Sequence, residues 1–234
     1  SVSAFLLNRS SDLSFLVVIC AVCGDPHYMG YHAPRIWSRI TCFLFLIRIK
    51  TEGKEKLKKG HSYVFLANHQ GYFDIFLIYG YIGHNFKWMM KDYLRKMPFI
   101  GVACEKSQQI YVGDSRSAIQ KAVEQARQTL QNGMSMMIFP EGTRTFTGQL
   151  GEFKRGAFML AGEIGLPIVP ITINGSFDIF SRKAKSVSFG TLRMTVHDPI
   201  TADVYKSKPT KVFMQEVKDI IDAGLEPKYR SKND

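Results

Sequence analysis

Hydrophobic positions cluster in two different ways along this chain. Near the N-terminus they form two nearly unbroken runs, residues 13–23 and 40–49. After the Lys-rich stretch TEGKEKLKKG, residues 51–60, they break into short β-branched and aromatic runs that alternate with helical periodicity. The short runs predict strands at 63–67, 86–90, 109–112, 135–139, 168–173 and 192–196. Between them the clearest helix is DSRSAIQKAVEQARQTLQNG, whose Ile119, Ala122, Val123, Ala126 and Leu130 share one face. Either Asp114 or Ser115 can cap its start, and Asn132-Gly133 supplies a left-handed stop. Two more helices are expected near 156–163 and 210–223. Strands interleaved with helices predict an α/β fold, a mainly parallel or mixed sheet flanked by helices.

The N-terminal runs add a separate element. Each is about ten residues, half of what a helix needs to span a bilayer. The chain begins at Ser, so the first run is compatible with a clipped span. Between the runs lie His27, Tyr28, Tyr31, His32, Arg35, Trp37 and Arg39, an aromatic and basic mixture typical of a membrane interface. A helical pair dipping into one leaflet fits this pattern better than a secretory signal, with a buried soluble hairpin as the alternative. Residues 1–50 are therefore expected to form a hydrophobic, membrane-associating helical segment, and 51–234 a single domain.

Composition narrows the partners. Lys and Arg number 31 against 20 Asp and Glu, a formal charge of +11 that favours a phosphate-bearing metabolite, an anionic membrane surface or nucleic acid. No RNA-binding aromatic motif or helix-turn-helix pattern stands out, which argues against nucleic acid. The four cysteines, 20, 23, 42 and 104, all sit in apolar surroundings. They suit buried or lipid-facing packing in a reducing compartment better than a disulfide scaffold or zinc site.

Two motifs carry candidate chemistry. Asn68-His69-Gln70-Gly71-Tyr72-Phe73-Asp74 follows a predicted strand, the place where α/β proteins put functional groups. Five residues are about 500° of regular helix, so His69 and Asp74 meet only if the histidine lies in the turn and the aspartate opens the next helix. An imidazole can withdraw the proton of an alcohol at neutral pH, and a carboxylate fixes its tautomer and stabilises the imidazolium. Such a pair serves a hydroxyl of the substrate and needs no protein serine. Alone the spacing is weak, since chance supplies roughly 0.3 such pairs at this composition.

The second motif, Phe139-Pro140-Glu141-Gly142-Thr143-Arg144, follows another apolar strand. Its Pro and Gly force a turn that presents Glu141, Thr143 and Arg144 beyond the sheet, and Arg144 offers a planar fork suited to phosphate. Phe153-Lys154-Arg155-Gly156 then places two cations at a helix N-terminus, itself an anion site. Val169-Pro170-Ile171 suits an irregular or edge strand lining a groove, or else plain core.

NHQGYFD and FPEGTR, with KDYLRKMPFIG (91–101), FKRG (153–156) and IVPITING (168–175) in the same order, resemble the 1-acylglycerol-3-phosphate acyltransferase family of bacterial type. The similarity covers about residues 50–200, and the apolar N-terminus looks like that family's membrane anchor. The resemblance implies transfer of a fatty acyl group from acyl-CoA or acyl-carrier protein to the sn-2 hydroxyl of lysophosphatidic acid, giving phosphatidic acid. It implies His69 as general base, Asp74 as its orienting partner, and Glu141, Gly142, Thr143 and Arg144 as acceptor-binding residues. Arg144 and Lys154 would contact the phosphate. No metal or cofactor is implied beyond the thioester co-substrate. The expected location is the cytoplasmic face of the inner membrane, held peripherally or by one N-terminal anchor. The chain departs from the family in one place. Tyr111-Val112-Gly113-Asp114 stands where members often carry Asp-Arg at the end of the third strand, and Arg116 comes two positions late. That departure bears on the acceptor, which could instead be glycerol 3-phosphate, another lysophospholipid or a lyso-ornithine lipid. From other classes, a metal-dependent phosphoesterase lacks further ligands for its metal, and a non-catalytic basic module would bind a membrane through the +11 surface.

Overall fold

A strand buried on both faces must be apolar at almost every position, because successive side chains point to opposite sides. A computed structural model of the chain, describing residues 26–97, 100–113 and 115–231, places three such strands at its centre. These are β2 (Val64–Ala67), β5 (Ser135–Ile138) and β6 (Ile168–Asn174), buried at every residue. β1 (Arg48–Glu52), β3 (Phe86–Lys91), β4 (Ile110–Val112) and β7 (Thr191–Val196) complete a seven-stranded sheet of order β1-β7-β6-β2-β5-β3-β4. The run from β6 to β4 is parallel, whereas β7 is antiparallel to β6 and carries β1 parallel beside it. The sheet is mixed, and all six strands expected from the sequence are present to within a residue at either end.

The pleat sorts the core into two layers. Val64, Leu66, Met136 and Ile138 face α4 (Arg116–Thr129), α5 (Arg155–Ile164) and α8 (Thr210–Ala223), through Ala126, Leu160 and Val217 among others. Phe65, Ala67 and Met137 face α1 (Pro26–Leu44) and α2 (Phe73–Tyr81), through Cys42, Phe73, Leu77 and Ile78. Short helices α3 (Ile100–Lys106), α6 (Ser176–Phe180) and α7 (Ala202–Lys206) fill connections. After β2 the chain crosses by α2 to β3, past β5; after β5 it crosses by α5 to β6, past β2. The connections leave neighbouring strands in opposite directions, so a crevice opens above their carboxyl ends. Both sequence motifs emerge there.

Several expectations change. The apolar run 13–23 lies outside the described residues. The second run is not a helix of its own. The aromatic stretch before it belongs to α1, which ends at Leu44, and the chain turns through Leu46 at φ 52°. From Arg48, whose N–H donates to Gly190 O at 3.0 Å, it continues as β1. β-Branched Ile47 and Ile49 and the waiting edge of β7 favour strand over helix there. The expected boundary between residues 50 and 51 therefore falls inside β1, which is hydrogen-bonded to β7. Among the described residues no helix is long and apolar enough to cross a membrane. The cap of α4 is Ser115, which accepts from Ala118 N–H at 3.1 Å, and Asp114 lies outside the described residues. Asn132 and Gly133 do take the left-handed stop, at φ 53° and 82°. Pro170 lies in the core, not at an edge: the ladder to β7 begins only at Ile171, and Pro170 O accepts from His197 N–H at 3.0 Å.

Candidate active site

The crevice is organised by side chains that hold backbone. At the end of β2, Asn68 Nδ2 donates to Ile173 O at 2.9 Å and its Oδ1 accepts from Ile173 N–H at 2.7 Å. This pins the start of the His69 turn to β6. Gly71 must be glycine, because a Cβ would lie 2.6 Å from Ser176 O. The turn then enters α2, and Asp74 in its first turn points back. Asp74 Oδ2 accepts from Gln70 N–H at 2.7 Å, Gly71 N–H at 2.9 Å and His69 Nδ1 at 2.7 Å. Two backbone donors make that oxygen an acceptor, so the proton between it and the imidazole sits on Nδ1. Nε2 is left as the free base.

Asp74 is fully buried, whereas the His69 side chain is 13% exposed. The imidazole stacks on Phe139 at 3.8 Å with planes 6° apart, and Phe139 in turn stacks on Trp88 at 5.2 Å. This aromatic floor keeps the ring in one plane while its outer edge meets solvent.

The 139–145 loop grips the same histidine. His69 N–H donates to Glu141 Oε1 at 2.7 Å, and His69 O accepts from Thr145 N–H at 2.9 Å. Glu141 Oε2 accepts from Gly151 N–H at 2.9 Å. Glu141 was expected to bind acceptor, yet both its oxygens tie backbone segments together. Its burial pushes the carboxyl up to about 7, against the pull of the two N–H donors and with a further push from Asp74. Gly142, at φ 70°, closes the turn with its N–H on Phe139 O at 3.0 Å. Lys154 lies over it, its Nζ 3.1 Å from where a Cβ would stand. The Arg144 guanidinium lies 3.6 Å from the centre of the Tyr72 ring, and its Nη1 is buried without a hydrogen-bond partner. A cleft of about 370 Å³ runs beside this loop, lined by Glu141, Thr143–Thr147 and Gln149–Glu152. Another of about 380 Å³ lies over β1, β7 and the end of α8, and holds none of the candidate residues.

Residues 48–174, more than half of the chain and both motif loops, match the family model described as Acyltransferase. The chain belongs to the acyltransferase family. It is 32% identical over 208 residues to the chloroplastic 1-acyl-sn-glycerol-3-phosphate acyltransferase of Arabidopsis thaliana, covering 84% of this chain and 58% of that one. Over 208 residues it is 27% identical to the 1-acyl-sn-glycerol-3-phosphate acyltransferase of Saccharomyces cerevisiae, covering 86% of this chain and 68% of the relative. The chain thus spans less than two thirds of the plant enzyme's length. The crystal structure of the 1-acyl-sn-glycerophosphate acyltransferase PlsC from Thermotoga maritima has the same fold, with a TM-score of 0.72 at 23% identity, covering 85% of this chain and 79% of that one.

Within this acyltransferase-family domain the structure brings together His69, Asp74, Glu141, Gly142, Thr143, Arg144 and Lys154. Arg116 stands apart, exposed on the first turn of α4. The preceding β4 is two strands from β5, roughly 10 Å at normal strand spacing. Asn68, Tyr72, Phe139 and Trp88 support the site without having been expected to. Asn68 and Tyr72 sit within the recognised motif; Trp88 shows nothing in sequence, because its strand is separated from His69 by 16 residues. Among the described residues no three His, Cys, Asp or Glu side chains assemble as metal ligands.

Proposed function

We propose that this protein is a 1-acylglycerol-3-phosphate O-acyltransferase, moving a fatty acyl group from acyl-CoA or acyl-carrier protein to the sn-2 hydroxyl of lysophosphatidic acid. The observation that carries the reading is the 2.7 Å contact from His69 Nδ1 to Asp74 Oδ2, with Nε2 free, in the same crevice as Arg144, whose Nη1 has no hydrogen-bond partner. His69 Nε2 takes the hydroxyl proton as the alcohol oxygen attacks the thioester carbonyl. Asp74 stabilises the imidazolium that forms. The tetrahedral adduct collapses with loss of the thiolate, and the imidazolium returns the proton to sulfur. Arg144 and Lys154 hold the acceptor's phosphate, and Glu141 holds the histidine turn. The names of the plant and yeast relatives support lysophosphatidic acid as acceptor.

The site works at a membrane surface on this reading. On α1, Ile36, Ile40, Phe43 and Leu44 share a stripe at helical spacing and are 60%, 44%, 75% and 60% exposed, while Ser38 and Thr41 are buried beneath. That inverts a soluble helix, and an exposed apolar stripe flanked by Arg35, Arg39 and Arg48 suits insertion into an anionic leaflet. Flotation with anionic vesicles tests it: detergent is expected to release the protein and high salt only part of it, and complete release by salt would refute insertion. The acceptor is tested with purified protein, labelled acyl-CoA or acyl-carrier protein, and a panel of glycerol 3-phosphate, lysophospholipids and lyso-ornithine lipid. Lysophosphatidic acid is expected to give the highest kcat/KM. Turnover of another lysolipid with lysophosphatidic acid inert would move the acceptor; no transfer to any would remove the function.

A further inference from the structure

We propose that Arg182, outside both motifs, is a second donor to the acceptor's phosphate and completes the site that Arg144 begins; this rests on the phosphate-bearing acceptor proposed above. The two guanidinium groups belong to one loop, Arg144 as a member of it and Arg182 as a side chain reaching it from outside. Arg144 lies over Tyr72, and Tyr72 packs on Phe180 with ring centres 5.0 Å apart. Tyr72 N–H also donates to Phe180 O at 3.2 Å, so the end of α6 is tied to the catalytic turn. Two residues beyond Phe180 the chain returns toward the 139–145 loop. There Arg182 Nη1 donates to Thr143 Oγ1 at 3.3 Å, and its guanidinium sits 4.5 Å over Phe146. Thr143 thus carries the Arg182 guanidinium on its hydroxyl and precedes Arg144 in the same loop.

Neither cation is neutralised. Among the described residues neither Arg144 nor Arg182 has a carboxylate within ion-pairing distance, although seven other Lys or Arg ion pairs occur in the fold. Arg144 Nη1 is buried and unpaired. Two guanidinium groups at one loop with no carboxylate between them favour an anion there. A phosphate at Thr143 Oγ1 would replace the long 3.3 Å contact of Arg182 with a charge-assisted one. It would also give Arg144 Nη1 the acceptor it lacks. The second cation offsets the absence of the arginine that the family resemblance places just past β4, where this chain has Asp114.

The experiment is steady-state kinetics of Arg182→Ala and Arg182→Lys, varying lysophosphatidic acid at saturating acyl-CoA and then the reverse. Arg182 is exposed, so both variants are expected to melt with the wild type. The expected result is a KM for lysophosphatidic acid raised about tenfold in Arg182→Ala, equivalent to roughly 1.4 kcal/mol. kcat and the acyl-CoA KM should stay within twofold, and Arg182→Lys should recover part of the loss. An acceptor KM within twofold of wild type overturns the assignment, as does a defect confined to acyl-CoA. No transfer by the wild type to any phosphate-bearing acceptor removes the proposed function and this assignment together; a normal variant beside an active wild type removes this assignment alone.

Discussion

Replacing Asp74 by asparagine tests the geometry of the histidine turn at a resolution that deletion cannot. In an Asp-His pair held by one contact, asparagine can present its NH2 to the imidazole, invert the tautomer and cost about 10⁴-fold. Here Asp74 Oδ2 also accepts from Gln70 N–H at 2.7 Å and Gly71 N–H at 2.9 Å. An NH2 group in that position would face two donors, so the amide oxygen is held there and Nε2 stays free. What disappears is the negative charge. A charge-assisted bond is worth about 1–1.5 kcal/mol more than a neutral one. Loss of the attraction to the imidazolium, about 4 kcal/mol for a full charge at about 4 Å and an effective dielectric near 20, adds a comparable amount for the partial charge of the transition state. The sum, about 2–3 kcal/mol, corresponds to roughly 30- to 150-fold in kcat. Stopped assays of acyl transfer on purified Asp74→Asn, with a thermal melt to confirm folding, give the number. A loss near 10⁴-fold would mean that the amide turns and the two backbone donors do not control it. A loss under about threefold would mean that the charge plays no part.

Arg144→Ala is expected to raise the acceptor KM at least about tenfold, whereas Arg116→Ala, at the far edge of the sheet, should change it less than twofold; the reverse order in acceptor titrations would show that the phosphate is misplaced. Glu141 is held up near 7 from its usual 4.5, so the folded protein binds this proton more tightly than the unfolded chain. Its contribution to stability is fully present below about 4.5 and is lost as pH rises through about 7. The melting temperature of wild type relative to Glu141→Gln should therefore fall across that window, and a difference independent of pH would contradict the assignment. Acyl transfer should survive EDTA and dialysis; loss of activity restored by one equivalent of a divalent ion would favour a metal-dependent reaction.

How much of this was legible in the sequence follows from which contacts are local. The His69 turn and the Asp74 helix start lie within six residues, and the turn geometry that lets them meet follows from helical spacing alone. The central strands are continuous apolar runs because they are buried on both faces, which is why their limits are right to within a residue. β1 was hidden because Arg48–Glu52 has strand character only beside β7, more than 140 residues away. For Pro170 the sequence left edge strand and plain core both open, and the structure shows core, because the β7 ladder starts only one residue later. Glu141 looked like a ligand for the substrate; its partners, the N–H groups of His69 and Gly151, are 72 and 10 residues away. Arg182 carries no motif at all, and only the return of the chain after α6 brings it to Thr143.

Acyl transfer by this site depends on His69 as the base that activates the acceptor hydroxyl. Its direct test is the initial rate of acyl transfer to lysophosphatidic acid by His69→Ala at saturating thioester, with folding checked by a melt. A general base contributes typically 10²–10⁴-fold, so the rate is expected to fall by about that factor or more while the protein stays folded. A folded His69→Ala that keeps more than about a tenth of the wild-type rate would contradict the account.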